Sequence, residues 1–165
     1  LFVVEREADG REPSVRCINF GLDGMQSFSF TLEEERSAVL VPAGQVGTYL
    51  YEPNASVLKA GAFKQIAVRT GVKKLQVNSH LYTADHLVSD FPGRRFRVDE
   101  VLSFTGKLCK GLSKTIPQAN ITVRNFPLSV EELRKRTKIT DGGHVYLFAT
   151  TLVDGEKVLV KCSKA

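Results

Sequence analysis

The stretch RNFPLSVEELRKRTKITDGG, Arg124 to Gly143, ends one apolar run, opens a helix and closes on two glycines before the next apolar run begins. Ser129 and Glu132 have the spacing of a capping box, in which the hydroxyl accepts a free backbone N–H of the first turn and the carboxylate reaches back to the Ser129 amide. Leu128 and Leu133 flank that cap as a hydrophobic staple. Glu131 and Glu132 fall at the positive end of the helix, and Arg134, Lys135, Arg136 and Lys138 toward its negative end, as the macrodipole favours. The spacing predicts a helix from Ser129 or Val130. The same basic run also reads as a surface for an anionic partner, and what lies beside it decides between that and a solvated helix face.

Upstream, ANITVRNF (119–126) reads as a strand and TGKLCKGLSKTI (105–116) as a helix, with Leu108, Leu112 and Ile116 on one stripe and Lys107, Lys110 and Lys114 on another. In RRFRVDEV (94–101), Phe96 and Val98 alternate with Arg95, Arg97 and Asp99, which predicts a strand with Arg95 and Arg97 on one face. Downstream, residues 144–164 form a hairpin turning at Asp154-Gly155. The order strand-helix-strand-helix-strand-strand predicts an α/β (α+β) fold, a small mixed β-sheet covered by helices. Earlier still, residues 49–71 read as a short strand and then a helix with Leu58, Ala62 and Ile66 on one face, divided at Gly61 and ended at Gly71. Short strands are expected around Val77 and Leu81.

The chain begins with short β-rich runs, LFVVE (1–5), SVRCINF (14–20) and SFSFTL (27–32), separated by turn-forming residues. Its charge is divided. Residues 1–52 hold four arginines against nine carboxylates, a balance of −5, and residues 53–165 hold 19 lysines and arginines against nine carboxylates, a balance of +10. The stretch EEERSAVLVPAGQVGT (33–48) mixes a charge run with Pro and Gly and marks the boundary, which predicts residues 1–46 as an acidic β-rich segment and residues 47–165 as a basic α/β domain. A basic module suits nucleic acid or another anionic partner, and the acidic segment is itself a candidate neighbour. No apolar run approaches the roughly 20 residues needed to cross a bilayer. Cys17, Cys109 and Cys162 are widely spaced and odd in number, which reads as free thiols in a reducing, cytoplasmic setting.

Catalytic motifs are scarce. No G-x-G-x-x-G follows a strand, and SFTGKL (103–108) has the Gly-Lys of a phosphate-binding loop without its first glycine or its Ser/Thr. His80, His86 and His144 lack zinc spacing. Asn125-Phe126-Pro127-Leu128 partly matches the Asn/Asp-Pro-Pro-Tyr/Phe loop of amino-methyltransferases, but Phe and Leu stand at its second and fourth positions, so Phe126-Pro127 reads as a strand end that aims Leu128 inward. Neither a catalytic residue nor a metal ligand is expected.

The strings YLYEPNASVLKAGAFKQIA, NSHLYT, DFPGRRFRV and VRNFPLSVEELRKRTKITDGGHVYLFATTL resemble the C-terminal, THUMP-like region of bacterial class I S-adenosylmethionine-dependent methyltransferase-like proteins of the Bacteroides group. The resemblance implies an accessory RNA-substrate-binding domain. It also implies a methyltransferase domain upstream that holds S-adenosylmethionine, with no cofactor in the present residues and with residues 1–46 as the end of that domain or a connector. On this reading the phosphate contacts fall to Arg94, Arg95, Arg97, Lys107, Lys110, Lys114, Arg124, Arg134, Lys135 and Lys138. Tyr82, Phe91 and Tyr146 are the aromatics available to stack on bases, with core placement the favoured reading for Tyr146. The alternative is a structural domain that docks on its own catalytic domain or dimerises without binding nucleic acid.

Overall fold

A computed structural model describes residue 10 and residues 12–21 and 24–165; the run LFVVE lies outside the described residues. Strands β1 (Ser14–Gly21) and β2 (Gly24–Thr31) pair antiparallel as a hairpin, with Phe20 opposite Met25 and Cys17 opposite Phe28. Helix α1 (Leu32–Ser37) follows at once, held by a capping box between Thr31 and Glu34. Next come β3 (Tyr49–Pro53), the short helices α2 (Ala55–Ala60) and α3 (Gln65–Thr70), β4 (Lys73–Lys74), β5 (Tyr82–Ala84) and β6 (Gly93–Ser103). The chain ends with α4 (Gly106–Thr115), β7 (Asn120–Val123), α5 (Val130–Thr137), β8 (Tyr146–Thr151) and β9 (Lys157–Lys164).

Most of the local expectations hold. Gly61 and Gly71 cap α2 and α3 in the left-handed conformation, so one helical pattern becomes two helices. Ser129 and Glu132 make the reciprocal capping box, and α5 starts at Val130. The final hairpin turns through Gly155, whose φ of 87° suits glycine. Val77 departs from expectation: Gln76 to Ser79 form a turn in which Ser79 donates back to the Gln76 carbonyl, and Val77 is exposed. Two apolar residues around polar ones are too short a pattern to separate strand from turn.

Strands β3 to β9 form one seven-stranded sheet in the order β4-β5-β3-β6-β9-β8-β7. Only β7 and β8 run parallel, joined by α5 as the crossover. Tyr51, Arg95, Arg97, Lys161, Leu147 and Ile121 share one face by register. All the helices of the sheet's flank lie on that face: α2 and α3, with Cys17, Phe28 and Phe30 of the hairpin, cover Tyr51 and Tyr82, while α4 and α5 cover Leu147, Ala149 and Leu159.

The opposite face carries no helix, yet it is dry. Leu50, Phe148, Val160 and Cys162 on it are 0% exposed, packed with Phe96, Leu81, Leu75 and Ala43. The sheet achieves this by curling around that face. Arg124, directly after β7, donates to Glu52 of β3, although β8, β9 and β6 stand between the two strands. In a flat sheet those four steps would span about 19 Å, farther than an arginine and a glutamate reach end to end.

Gly93 sets the start of β6. A Cβ there would stand 2.8 Å from both Pro53 Cα and the Phe91 ring, so only glycine lets β6 approach β3 at this point.

Candidate nucleic-acid interface

The three lysines of α4 are exposed because the helix buries its other stripe. Thr105 caps the helix by accepting from the Leu108 amide at 3.1 Å, and Cys109, Leu112 and Ile116 turn into the core. Lys107, Lys110 and Lys114 therefore face solvent. Helix α5 packs beside α4 with Leu133 inward, and Lys135, Arg136 and Lys138 exposed. The two basic runs meet. Lys110 and Arg136 line one small cavity of about 220 Å³ with Phe104, Gly106 and Cys109. Burial pushes the Cys109 thiol up, and the Arg136 charge pulls partly the other way. Arg136 thus joins the lysine stripe, although the sequence singled out its neighbours instead.

Arg134 and Arg95 are engaged in the fold. Arg134 points inward: it donates to the Ile139 carbonyl at 3.3 Å, to the Ala119 carbonyl at 3.2 Å and to Asp141. Arg95 donates to the Ser89 carbonyl. Arg97 is exposed on the helix-bearing side of the sheet.

Arg94 and Arg124 lie on the other face, together. Glu52 accepts from Arg94 Nε at 2.9 Å through Oε2, and from Arg124 Nε at 3.1 Å and Nη2 at 2.8 Å through Oε1. The carboxylate is buried, its side chain 4% exposed, whereas the Arg94 and Arg124 side chains are 55% and 38% exposed. Glu52 was legible only in retrospect: in YLYEP the alternation places it beside Leu50 on an apolar face, where a charge needs partners.

The stacking expectation fails for Tyr82 and Phe91, while Tyr146 takes the core placement expected of it. Tyr82 and Phe91 are 0% exposed, and Tyr146 is half-buried with its ring 4.9 Å from Phe96. Their rings build the core, with the Tyr82 hydroxyl donating to the Phe63 carbonyl at 2.7 Å. His80 is half-buried and stacked on Phe63, 4.1 Å between centroids, with Nδ1 3.3 Å from the Lys74 ammonium. Burial, then Lys74, then Arg124 lower its pKa. Among the described residues no group of three His, Cys, Asp or Glu is placed to hold a metal, the three cysteines are free and buried, and no helix is long and apolar enough to cross a membrane.

The glycine-bearing loop 43–47 lines a cleft of about 440 Å³ with Lys73, Asp85 and His86. At the end of this loop Gly47 donates to Thr83 Oγ1 at 2.8 Å, and the following Thr48 donates to Asp85 Oδ1 at 3.3 Å.

The acidic segment is tied to the basic body. Glu35 accepts from the Phe63, Lys64 and Gln65 amides at 2.8–3.1 Å where α3 begins, and Glu34 pairs with Arg69 at 2.7 Å.

Known proteins frame this arrangement. Residues 49–92 match a family described as a ferredoxin-like domain, and residues 93–164 match one described as THUMP domain-like. A crystal structure of a putative methyltransferase from Porphyromonas gingivalis W83 superposes with a TM-score of 0.88 at 47% sequence identity over 92% of this chain. The chain spans 38% of the length of that protein. No curated protein matches. The chain therefore carries a ferredoxin-like domain at residues 49–92 followed by a THUMP-like domain at residues 93–164.

Proposed function

We propose that the chain is the RNA-substrate-binding part of an S-adenosylmethionine-dependent methyltransferase acting in the cytoplasm. The cofactor and the methyl transfer belong to the catalytic part of the parent enzyme, and these residues supply the hold on RNA. The observation that carries the reading is the meeting of Lys110 on α4 with Arg136 on α5, which joins two basic runs into one exposed surface. The THUMP-like match adds the class of ligand. Phe104, which lines the same cavity, is half-buried with its ring against Phe126, so the contacts of that surface fall mainly on phosphates, which position a substrate without reading its sequence.

The test is filter binding of structured RNA across a salt series. The affinity should fall steeply with salt, and Lys107→Glu with Lys110→Glu and Lys114→Glu should flatten the slope by roughly one unit for each phosphate no longer neutralised. Arg134→Glu is no substitute, because it breaks bonds to Ala119 and Ile139. A slope unchanged in the triple variant would favour the second reading, a domain that docks on its catalytic partner. The Glu34 to Arg69 pair gives that reading its own support, since it already shows acidic and basic parts of the chain neutralising each other.

A further inference from the structure

The seam between the ferredoxin-like and THUMP-like domains has a surplus charge that the fold does not need. Glu52 belongs to the first domain, and Arg94 and Arg124 to the second. One arginine would neutralise the carboxylate. Two leave the cluster at +1, and both guanidinium groups remain substantially exposed. Each turns its Nε and Nη2 toward Glu52, one on each carboxylate oxygen. Their Nη1 groups are left without a partner among the described residues. A buried carboxylate that holds two planar forks at fixed angles prepares them for a ligand, because the entropy of ordering both side chains has been met by the fold.

Two further observations lie at the same place. The hydroxyl of Thr150 is fully buried and has no hydrogen-bond partner among the described residues. It lies on the curled face one register step beyond Phe148, beside Arg124, whose amide donates to Ala149. His80 feels the Arg124 charge, which helps hold its ring neutral. With Nδ1 3.3 Å from the Lys74 ammonium, which donates to it, the ring proton is on Nε2.

We propose that Arg94 and Arg124, oriented by Glu52, form a binding site for a single phosphate group. The surplus of one positive charge matches one phosphodiester or one monobasic phosphate, and guanidinium forks suit its oxygens. The site is on the curled face, opposite the helices, so it does not depend on the α4–α5 surface binding RNA.

The side-chain Nε–H resonances of Arg94 and Arg124 in the whole chain report on it directly. Inorganic phosphate should move both saturably, and chloride at equal ionic strength should not. Glu52→Gln releases the forks from the carboxylate that orients them and should weaken phosphate binding several-fold despite the added net charge, whereas unchanged or tighter binding would show that Glu52 does not prepare the site. Arg94→Gln leaves a balanced Arg124–Glu52 pair and should abolish the response at Arg124, which keeps the test decisive if Glu52→Gln does not fold. A dinucleoside monophosphate moving the same resonances assigns the phosphate to a nucleic-acid backbone; movement by inorganic phosphate alone assigns it to free phosphate. Equal shifts with chloride, or an undiminished response in Arg94→Gln, would overturn the site.

Discussion

Lys74 shows what a single charge does when the fold encloses it. The residue is 2% exposed, with its ammonium donating to the Val77 carbonyl at 2.7 Å and lying 5.0 Å from the Phe63 ring and 5.8 Å from the Tyr82 ring. Burial lowers its pKa from 10.5 to about 8, opposed by the charge of Glu35. The folded protein therefore binds fewer protons than the unfolded chain between about pH 8 and 10.5, and Lys74 makes folding more favourable as pH rises through that window. Below pH 8 the full cost is present. Tyr82 and Cys162, whose burial raises their pKa values, act in the opposite direction at high pH. The difference between wild type and Lys74→Met isolates the lysine: the variant should gain on the order of 2 kcal/mol at pH 7 relative to pH 10.5, measured by chemical denaturation. A constant difference across the range would mean that Lys74 is not buried as a cation. Lys74 could not be singled out from the sequence, since in the two-residue strand Lys73-Lys74 nothing local says which lysine faces water and which the rings.

Helices and turns were the most legible elements, because their signals are local. The Ser129 and Glu132 spacing specified the start of α5 to within one residue, and Gly61 and Gly71 specified the ends of α2 and α3. Ser129→Ala should lower stability by about 1 kcal/mol through loss of the bond to the Glu132 amide, read as a shift of the denaturation midpoint. An unchanged midpoint would show that the cap is dispensable. Legibility fell where partners are distant in sequence. The stripe of Lys107, Lys110 and Lys114 could be read from periodicity, but its meeting with Arg136 depends on how α4 and α5 pack. Arg95 and Arg97 could be assigned to one face, and Arg94 with Arg124 to the other only once the register of β3, β6, β7 and β8 was known.

At the scale of the molecule, the two family domains are parts of one sheet. The division between them falls at residues 92 and 93, yet β3 of the first pairs with β6 of the second from Tyr49 opposite Arg97 to Pro53 opposite Gly93. Leu50, Leu75 and Leu81 of the first domain fill the same cluster as Phe96, Phe148 and Val160 of the second. Residues 93–164 expressed alone should consequently lack a cooperative transition and show poorly dispersed amide resonances. A well-dispersed spectrum would mean that the second half closes its own core. The Pro- and Gly-bearing charge run at residues 33–48 suggested a boundary near residue 46, but nothing local in the sequence shows that β3 and β6 pair across residues 92 and 93. The shared sheet also bears on descent. A gene rearrangement that separated residues 49–92 from 93–164 would strip β6 of a neighbour and leave Arg94 and Arg124 facing each other without Glu52, so the two domains can be passed on together far more readily than exchanged.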